Sequence, residues 1–217
     1  MELFLEVCSK LSNGFVTAFF LFALTLIFAL PLGLLMSFCT MSKFAPVRVP
    51  MKIIVWILRG TPLMLQLMVV FFGPHYLFGI QTGSNYRFIA VIIGFVLNYA
   101  AYFAEIYRSG IEAMPVGQYE SADVLGYSKI QTFFKIILPQ VIKTILPSIT
   151  NEVITLVKDT SLVYTIGVAE MFTQAKIISA AQSSMTALIA AGVFYYIMNL
   201  VVAYIMGLLE KKLNYFK

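Results

Sequence analysis

The stretch from Gly14 to Met41 is almost uninterrupted apolar sequence and contains no charged residue. A helix needs about 20 mostly apolar residues to cross a lipid bilayer, and this run is longer. It also exceeds the apolar core of a signal peptide (about 7–15 residues), and Glu2 and Glu6 precede it where a signal peptide carries basic residues. The run therefore predicts a retained membrane-spanning helix.

The composition agrees with a membrane protein. Only 12% of the residues are charged and the mean hydropathy is +0.90, whereas about 25% of the residues in soluble domains are charged. This excludes an ordinary soluble enzyme and a disordered polar chain. We predict an all-α integral membrane protein with a single domain, 1–217, whose five spans lie at about 14–41, 53–72, 88–107, 144–166 and 185–209.

Basic residues are unevenly distributed between the connections. Segments 42–52 and 108–143, together with the C-terminal tail, carry ten Lys or Arg, whereas the opposite side carries three, Lys10, Arg87 and Lys176. Short cytoplasmic connections are enriched in basic residues. We therefore predict an outside N-terminus and an inside C-terminus. This asymmetry accounts for the net charge of +5, so no nucleic-acid partner is expected.

The segment 108–143 is too long for a simple connection between two helices. Tyr119, Ala122 and Leu125 have helical spacing, and Ser128 is a suitable N-cap for a second helix. Two short helices could pack passively at the membrane surface. The second would be amphipathic, with one apolar side formed by Ile130, Phe133, Phe134, Ile137 and Leu138.

The residues within this segment favour a docking role. Glu120-Ser-Ala-Asp-Val-Leu-Gly126, followed by Ile137-Leu-Pro139, resembles the cytoplasmic "EAA" loop of ABC importer membrane subunits. In that family a short helix of this loop inserts into a groove on the ATPase subunit and transmits its motion. The resemblance implies that the residues contacting an ATPase subunit are Tyr119, Glu120, Ser121, Ala122, Leu125 and Gly126. Ser121 stands where the motif usually has alanine.

Further motifs are similar to those of the polar amino-acid branch of these permeases, which includes the histidine, lysine, arginine and glutamine permeases. They cover most of residues 56–170 in the family's order. They are Arg59-Gly-Thr-Pro-Leu63 with Gln66, Ala101-Tyr-Phe-Ala-Glu-Ile-Tyr-Arg108-Ser-Gly-Ile111, Pro115-Val-Gly-Gln118 and Leu156-Val-Lys-Asp-Thr-Ser-Leu162. The resemblance implies five spans in the orientation given above and a location in the bacterial cytoplasmic membrane.

Two carboxylates in the fourth span are the main candidates for substrate binding. Charges inside a span cost roughly 2.5–3.5 kcal/mol each. Glu152 and Asp159 are seven positions apart, so they share one face of a helix. In the resembled family this helix lines the amino-acid path near the bilayer midplane. A cationic amino acid would relieve the repulsion between the carboxylates. A structural alternative is that Asp159 pairs with Lys158 or Arg59.

Three polar residues are further candidates for substrate binding. Ser161 could offer a hydroxyl group to the substrate, and Asn98 and Gln66 lie inside spans three and two. Polar residues in spans more often form hydrogen bonds between helices, so this alternative stays open for Asn98 and Gln66. Pro147 is expected to bend the fourth span and free carbonyl groups.

The remaining polar and aromatic features favour structural roles. In Arg59-Gly-Thr-Pro62 we expect Thr61 to cap a helix, Pro62 to lie in its first turn and Arg59 to extend to the inner interface. His75 has no metal-ligating neighbour in sequence, and we place it in an external loop, so neither a metal site nor a catalytic residue is predicted. Tyrosines at the span ends are expected in the interfacial belts: Tyr76, Tyr107, Tyr195 and Tyr215.

The phosphate-binding signature G-x-x-x-x-G-K-[ST] is absent from the chain, so ATP and Mg²⁺ are expected on a separate subunit. The resemblance implies two ATP-binding subunits, a second permease subunit that is either a copy or a paralogue, and an extracellular solute-binding protein that docks on outer loops 73–87 and 167–185. The predicted function is import of a cationic amino acid by alternating access. The alternatives are a neutral or acidic amino acid, an intramembrane enzyme and a secondary transporter.

Overall fold

The computed structural model describes residues 2–81, 83 and 86–213, and all regular secondary structure within them is helical. Lys217, Tyr215 and the side chain of Lys10, which enter the predictions above, lie outside the described part of the chain. The helices are α1 Glu2–Met41, α2 Ala45–Gly60, α3 Leu63–Phe78, α4 Tyr86–Glu112, α5 Val116–Val124, α6 Lys129–Thr132, α7 Leu138–Asp159, α8 Met171–Gln182 and α9 Thr186–Leu213. A π-helical turn, Phe133–Ile137, joins α6 to α7, and a 3₁₀ helix, Thr160–Ile166, follows α7.

Four helical stretches are long and apolar enough to cross a membrane, and a bent pair of helices raises the number to as many as five. Three of them contain a predicted span, at 14–41, 88–107 or 144–166, and the fourth begins one residue after the start of the span predicted at 185–209. The stretches are Leu11–Met41, Tyr86–Glu112, Lys129–Ile166 and Thr186–Leu213. The all-helical membrane class is therefore confirmed.

The span predicted at about 53–72 corresponds to a bent pair of helices and not to one continuous helix. Helices α2 and α3 meet at an angle of 111°. Pro62 clashes with a helical conformation of the residue before it, and Thr61 is accordingly extended, with φ −119° and ψ 147°. Pro62 itself is the N-cap of α3. The Thr61 hydroxyl donates to the Ile57 carbonyl oxygen at 2.8 Å, so Thr61 does not cap α3 as predicted.

The two segments predicted as outer loops are largely helical. Helix α3 continues to Phe78, so His75 lies in its last turn instead of an external loop. Helix α8 occupies most of 167–185 because Glu170 caps it, accepting hydrogen bonds from the backbone N–H groups of Phe172 and Thr173 at 2.8 Å each. Apolar and polar residues mix along α8, and its 12 residues are too few to give a membrane-span signal.

Glu170 is completely buried between α8 and α9. The Tyr195 hydroxyl donates to its carboxylate at 2.7 Å, so Tyr195 points into the protein and the prediction that it belongs to an interfacial belt is wrong. Burial raises the pKa of Glu170, and the hydrogen bonds from Phe172, Tyr195 and Thr173 oppose that rise. This buried hydrogen-bond network attaches the segment between α7 and α8 to α9.

Helix α4 forms the centre of the bundle and packs against α1, α2, α3 and α7. Its buried rings Phe95 and Tyr99 stack, with centroids 6.3 Å apart. Helix α1 approaches α4 closely at Gly33, where a Cβ atom would lie 2.8 Å from the Cβ of Phe103 and 2.9 Å from the carbonyl oxygen of Ala100. The absence of a side chain at Gly33 therefore permits the close packing of these two helices.

We predict that Gly33→Ala destabilises the protein, because the added methyl group meets backbone that cannot move aside. Overpacking of this kind costs about 1–3 kcal/mol. Gly192 in α9 is the matched control, since a Cβ there meets no atom within 4 Å. Gly192→Ala should be neutral or stabilising. Thermal unfolding of the detergent-solubilised protein measures both variants, and equal midpoints would contradict the predicted packing.

Candidate functional site

A cavity of about 350 Å³ lies where the break between α2 and α3 faces α4 and α7. Ligand-binding pockets usually enclose about 300–1,000 Å³. Its wall combines polar, aromatic and acidic side chains: Thr61, Pro62, Leu63, Asn98, Tyr99, Tyr102, Glu152, Thr155, Asp159 and Leu162. Three of the five residues predicted to bind substrate, Glu152, Asp159 and Asn98, therefore line one cavity.

Glu152 and Asp159 face the cavity from the same side of α7, as their spacing predicts. Both side chains are partly exposed. Asp159 accepts a hydrogen bond of 2.7 Å from the Tyr99 hydroxyl on α4. Arg59 forms an ion pair with Glu105 at 3.7 Å instead of the pairing with Asp159 considered above. The cavity therefore has an acidic wall on α7.

The side-chain amides of Asn98 and Gln66 form hydrogen bonds at the break between α2 and α3. The Gln66 side-chain amide donates to the Leu58 carbonyl oxygen at 2.7 Å and to the Thr61 hydroxyl at 2.8 Å. The Asn98 amide donates to Leu58 and to the Gln66 side-chain oxygen, each at 3.1 Å. These contacts satisfy carbonyl oxygens that the interrupted helix leaves free. They match the structural alternative, in which both residues form hydrogen bonds between helices.

Ser161 lies outside the cavity wall. It belongs to the 3₁₀ helix after α7, and its hydroxyl donates to the carbonyl oxygen of Lys158 at 2.8 Å. Lys158 is exposed and is not among the residues that line the cavity. Pro147 lies inside α7, which runs as one continuous element from Leu138 to Asp159. Helix α7 thus brings Glu152 and Asp159 to the cavity but leaves Ser161 beside it.

Three further polar residues line the cavity although the sequence analysis does not predict them to bind substrate: Tyr99, Tyr102 and Thr155. Helical spacing could have identified Thr155, because it lies three positions after Glu152 and four before Asp159. Tyr99 and Tyr102 are adjacent rings on α4, with centroids 6.5 Å apart. Their direction depends on how α4 packs, which the sequence does not reveal.

Helix α5 and the turn after it form a second candidate surface. Glu120, Ser121, Leu125 and Gly126 are exposed. Tyr119 packs against the buried cluster of Ile137, Val141 and Ile145, and Ala122 is 1% exposed. Two of the six predicted ATPase-contact residues thus hold α5 on the bundle. Val116 and Val124 add outward apolar area, being 69% and 88% exposed.

A tight turn ends this surface. Gly126 has φ +77°, a left-handed conformation that glycine adopts without strain. Its N–H donates to the Asp123 carbonyl oxygen at 3.0 Å, and the Tyr127 N–H donates to that of Ala122 at 3.0 Å, which closes α5 in a Schellman motif. Ser128 then caps α6 with Gln131 in a reciprocal capping box, so the predicted N-cap is confirmed.

The expected single apolar side of the following stretch is wrong. Ile137 is completely buried, but Ile130 and Phe134 are 72% and 61% exposed. The π-helical turn widens the helix between Phe133 and Ile137, which shifts the direction of the side chains along the stretch. Ile130 and Phe134 therefore extend the outward apolar surface of α5.

The family model for the binding-protein-dependent transport system inner membrane component matches residues 29–215. The chain belongs to this permease family. The family consists of transport permeases and not of enzymes, which decides against the intramembrane enzyme and the secondary transporter. The permease is thus an integral membrane component of a binding-protein-dependent transport system.

Named relatives and a solved structure identify the transport system as an amino-acid ABC importer. The permease is 37% identical to a protein named as glutamine transport system permease GlnP of Rickettsia bellii (strain RML369-C), over 88% of this chain and 86% of that one. It is 39% identical to the arginine transport system permease ArtQ of Bacillus subtilis (strain 168), over 87% and 85%. A crystal structure of an amino acid ABC transporter with histidines superposes with a TM-score of 0.87 and 30% identity, covering 96% of each chain.

We predict that Gln66→Leu destabilises the permease by about 2 kcal/mol, because the Leu58 and Thr61 acceptors lose a donor. Gln182 supplies the control, since it is exposed at the end of α8. Gln182→Leu should change the unfolding midpoint little. Thermal unfolding in detergent compares the two variants. A Gln66→Leu protein as stable as the wild type would show that the break does not need this amide.

Proposed function

We propose that this permease moves a cationic amino acid, such as arginine, lysine or histidine, into the cytoplasm by alternating access through the cavity described above. The observation that carries the proposal is the pair of carboxylates, Glu152 and Asp159, on one wall of that cavity. Ionisable residues within membrane spans are costly and usually mark substrate or ion pathways.

The separation of the two carboxylates suits a substrate with two positive groups. Seven residues of α-helix place Glu152 and Asp159 about 10 Å apart along α7. Arginine and lysine carry one cation on the α-carbon and a second at the end of a long side chain. One carboxylate can then face each cation, and binding removes the repulsion between the two negative charges.

The opposite wall of the cavity suits the carboxylate group of the same substrate. Helix α3 begins at Leu63, directly on the cavity wall, and Pro62 gives it no side-chain cap. The N-terminus of a helix carries partial positive charge and free N–H groups. Interrupted spans commonly direct such half-helix ends toward anionic groups of the substrate. A zwitterion with an additional cation therefore matches both walls.

The alternative is a neutral or acidic amino acid in the same importer class. The relative named for glutamine supports it, whereas the relative named for arginine and the structure with histidines support a cationic substrate. A protonated Glu152 could accept a neutral side chain by hydrogen bonding. Substrate competition between arginine and its neutral analogue citrulline separates the two possibilities.

The proposed assembly follows from the family. Two ATP-binding subunits would hold ATP and Mg²⁺, a second permease subunit (a copy or a paralogue) would complete the membrane part, and an extracellular solute-binding protein would deliver the substrate. The complex would lie in the bacterial cytoplasmic membrane, with the C-terminus of the permease inside. The outward surface of α5, from Val116 to Gly126, would dock on an ATP-binding subunit and transmit its motion to α7.

We predict that Glu152→Gln and Asp159→Asn each raise the arginine concentration for half-maximal stimulation of ATP hydrolysis by at least about tenfold, because each removes a charge that faces the substrate. The measurement uses the reconstituted importer with its ATP-binding subunits and binding protein. Glu210→Gln is the control, since Glu210 lies outside the cavity and an amide can still accept the Thr150 hydrogen bond. Wild-type stimulation by glutamine but not arginine would contradict the cationic substrate.

We also predict that Gly126→Ala reduces substrate-stimulated ATP hydrolysis several-fold, because a side chain strains the left-handed turn by about 1–2 kcal/mol. No atom lies within 4 Å of the added Cβ, so the effect is conformational and not steric. Gly192→Ala in α9 is the matched control, since its Cβ also meets no atom, its φ is not positive and it lies outside the proposed docking surface. Equal stimulated activity of both variants would argue against a coupling role for this turn.

A further inference from the structure

Arg59 ends α2 beside the cavity, on the side that faces the C-terminal end of α4. Its guanidinium lies over the Tyr102 ring, with 5.4 Å between Cζ and the ring centroid. The Tyr102 hydroxyl in turn donates to the Arg59 carbonyl oxygen at 3.3 Å. Tyr102 lines the cavity although Arg59 does not. A single aromatic ring thus separates this cation from the substrate path.

The arrangement of α4 and α7 places Arg59 close to the level of Glu152. The two helices run antiparallel, because Tyr99 contacts Asp159 and a Cβ at Gly110 would meet Ile145. Glu152 precedes Asp159 by seven residues, so it lies level with the part of α4 about seven residues after Tyr99. That part of α4 includes Glu105, which pairs with Arg59.

The contacts of Arg59 with Glu105 and with the Tyr102 ring are weak enough to be broken. Its ion pair with Glu105 is 3.7 Å long, and the Arg59 side chain is 35% exposed. Arg108 also binds Glu105, with its Nε donating to the carboxylate at 3.0 Å, and it pairs with Glu112 as well. Glu105 is therefore shared between two guanidinium groups, and the stronger contact belongs to Arg108. Exposed cation–π contacts of the Arg59 kind contribute only about 0.5–1 kcal/mol.

We infer that Arg59 is a built-in counter-cation of the cavity, which competes with a cationic substrate for the negative potential of Glu152 and Asp159. A bound cation repels Arg59 from the Tyr102 ring toward Glu105. This shift exchanges the contact of Arg59 with the Tyr102 ring for a closer contact with Glu105, so the cation moves away from the cavity. Arg59 is thus a positioning residue that weakens cation binding and favours release. The inference rests on the proposed cationic substrate.

Arginine and citrulline test this competition, because citrulline has almost the same shape but no side-chain charge. Binding of each is measured by calorimetry on the purified complex of permease and ATP-binding subunits. We expect Arg59→Gln to tighten arginine binding about threefold to tenfold, the order expected for removing one like charge beside a partly solvated site, and to leave citrulline binding unchanged. Arg59→Lys, which keeps the charge, should restore the wild-type value.

Glu105→Gln provides a variant with the opposite expected sign. It frees Arg59 to approach the cavity and removes a nearby negative charge, so arginine binding should weaken while citrulline binding stays the same. A merely structural role would change the binding of both ligands in one direction. Weaker binding of both ligands to Arg59→Gln would overturn the inference, since Arg59 would then hold the substrate carboxylate or the fold. An unchanged arginine affinity in Arg59→Gln would overturn it as well.

The failure of the inference can be distinguished from the failure of the proposed function. A wild-type complex that binds arginine and citrulline equally would contradict the cationic substrate itself. A wild-type complex that prefers arginine, with that preference lost in Glu152→Gln, supports the proposed function whatever Arg59→Gln does. The Arg59 variants then decide only whether the internal cation competes with the substrate.

Discussion

The interruption of the helix at Thr61 and Pro62 is the constraint on which the cavity depends. Backbone that is not helical is tolerated at membrane depth only where protein buries it or where it lines a cavity. Here both conditions hold, because Gln66 and Asn98 donate to the freed carbonyl oxygen of Leu58, while Thr61 and Pro62 form part of the cavity wall. A continuous helix would bring neither a helix N-terminus nor Arg59 to this position.

Charge balance connects the break to the proposed transport cycle. The acidic wall on α7 faces a positive helix end on α3 and a cation, Arg59, at the end of α2. In the proposed binding mode, an amino acid with an extra cation pairs with both carboxylates and places its own carboxylate at the helix end, whereas a neutral one leaves one wall carboxylate without a cation. In the proposed cycle, the break would supply both affinity for a zwitterion and, through Arg59, a limit to that affinity. Transport requires such a limit, because a substrate that binds too tightly is not released.

Several features could be predicted from the sequence because they depend on local pattern. Apolar runs located four spans, and the spacing of Glu152 and Asp159 placed both on one helix face. Hydropathy averages over Pro62 and gives a single span here, and the helix start expected at Thr61 and Pro62 does not reveal the 111° bend between α2 and α3. The inward direction of Tyr119 and Ala122 depends on contact with Ile137, Val141 and Ile145 at a distance in sequence.

The burial of residues in the predicted outer loops also depends on contacts that are distant in sequence. Glu170 stands in a mixed polar and apolar stretch, and only the folded contact with Tyr195 on α9 shows that it is buried. The six residues predicted to contact an ATPase subunit came from a family motif, which specifies residue types but not their direction. The structure separates those that can face a partner, such as Glu120 and Leu125, from those that attach α5 to the bundle.

The most direct test of the central claim is substrate protection of a thiol placed between the two carboxylates. Thr155→Cys puts it on the cavity wall, in a background where Cys8 and Cys39 are replaced by alanine. We predict that arginine slows its modification by a small thiol reagent in the reconstituted importer and that citrulline does not. An unchanged modification rate at arginine concentrations that fully stimulate ATP hydrolysis would show that the substrate passes elsewhere.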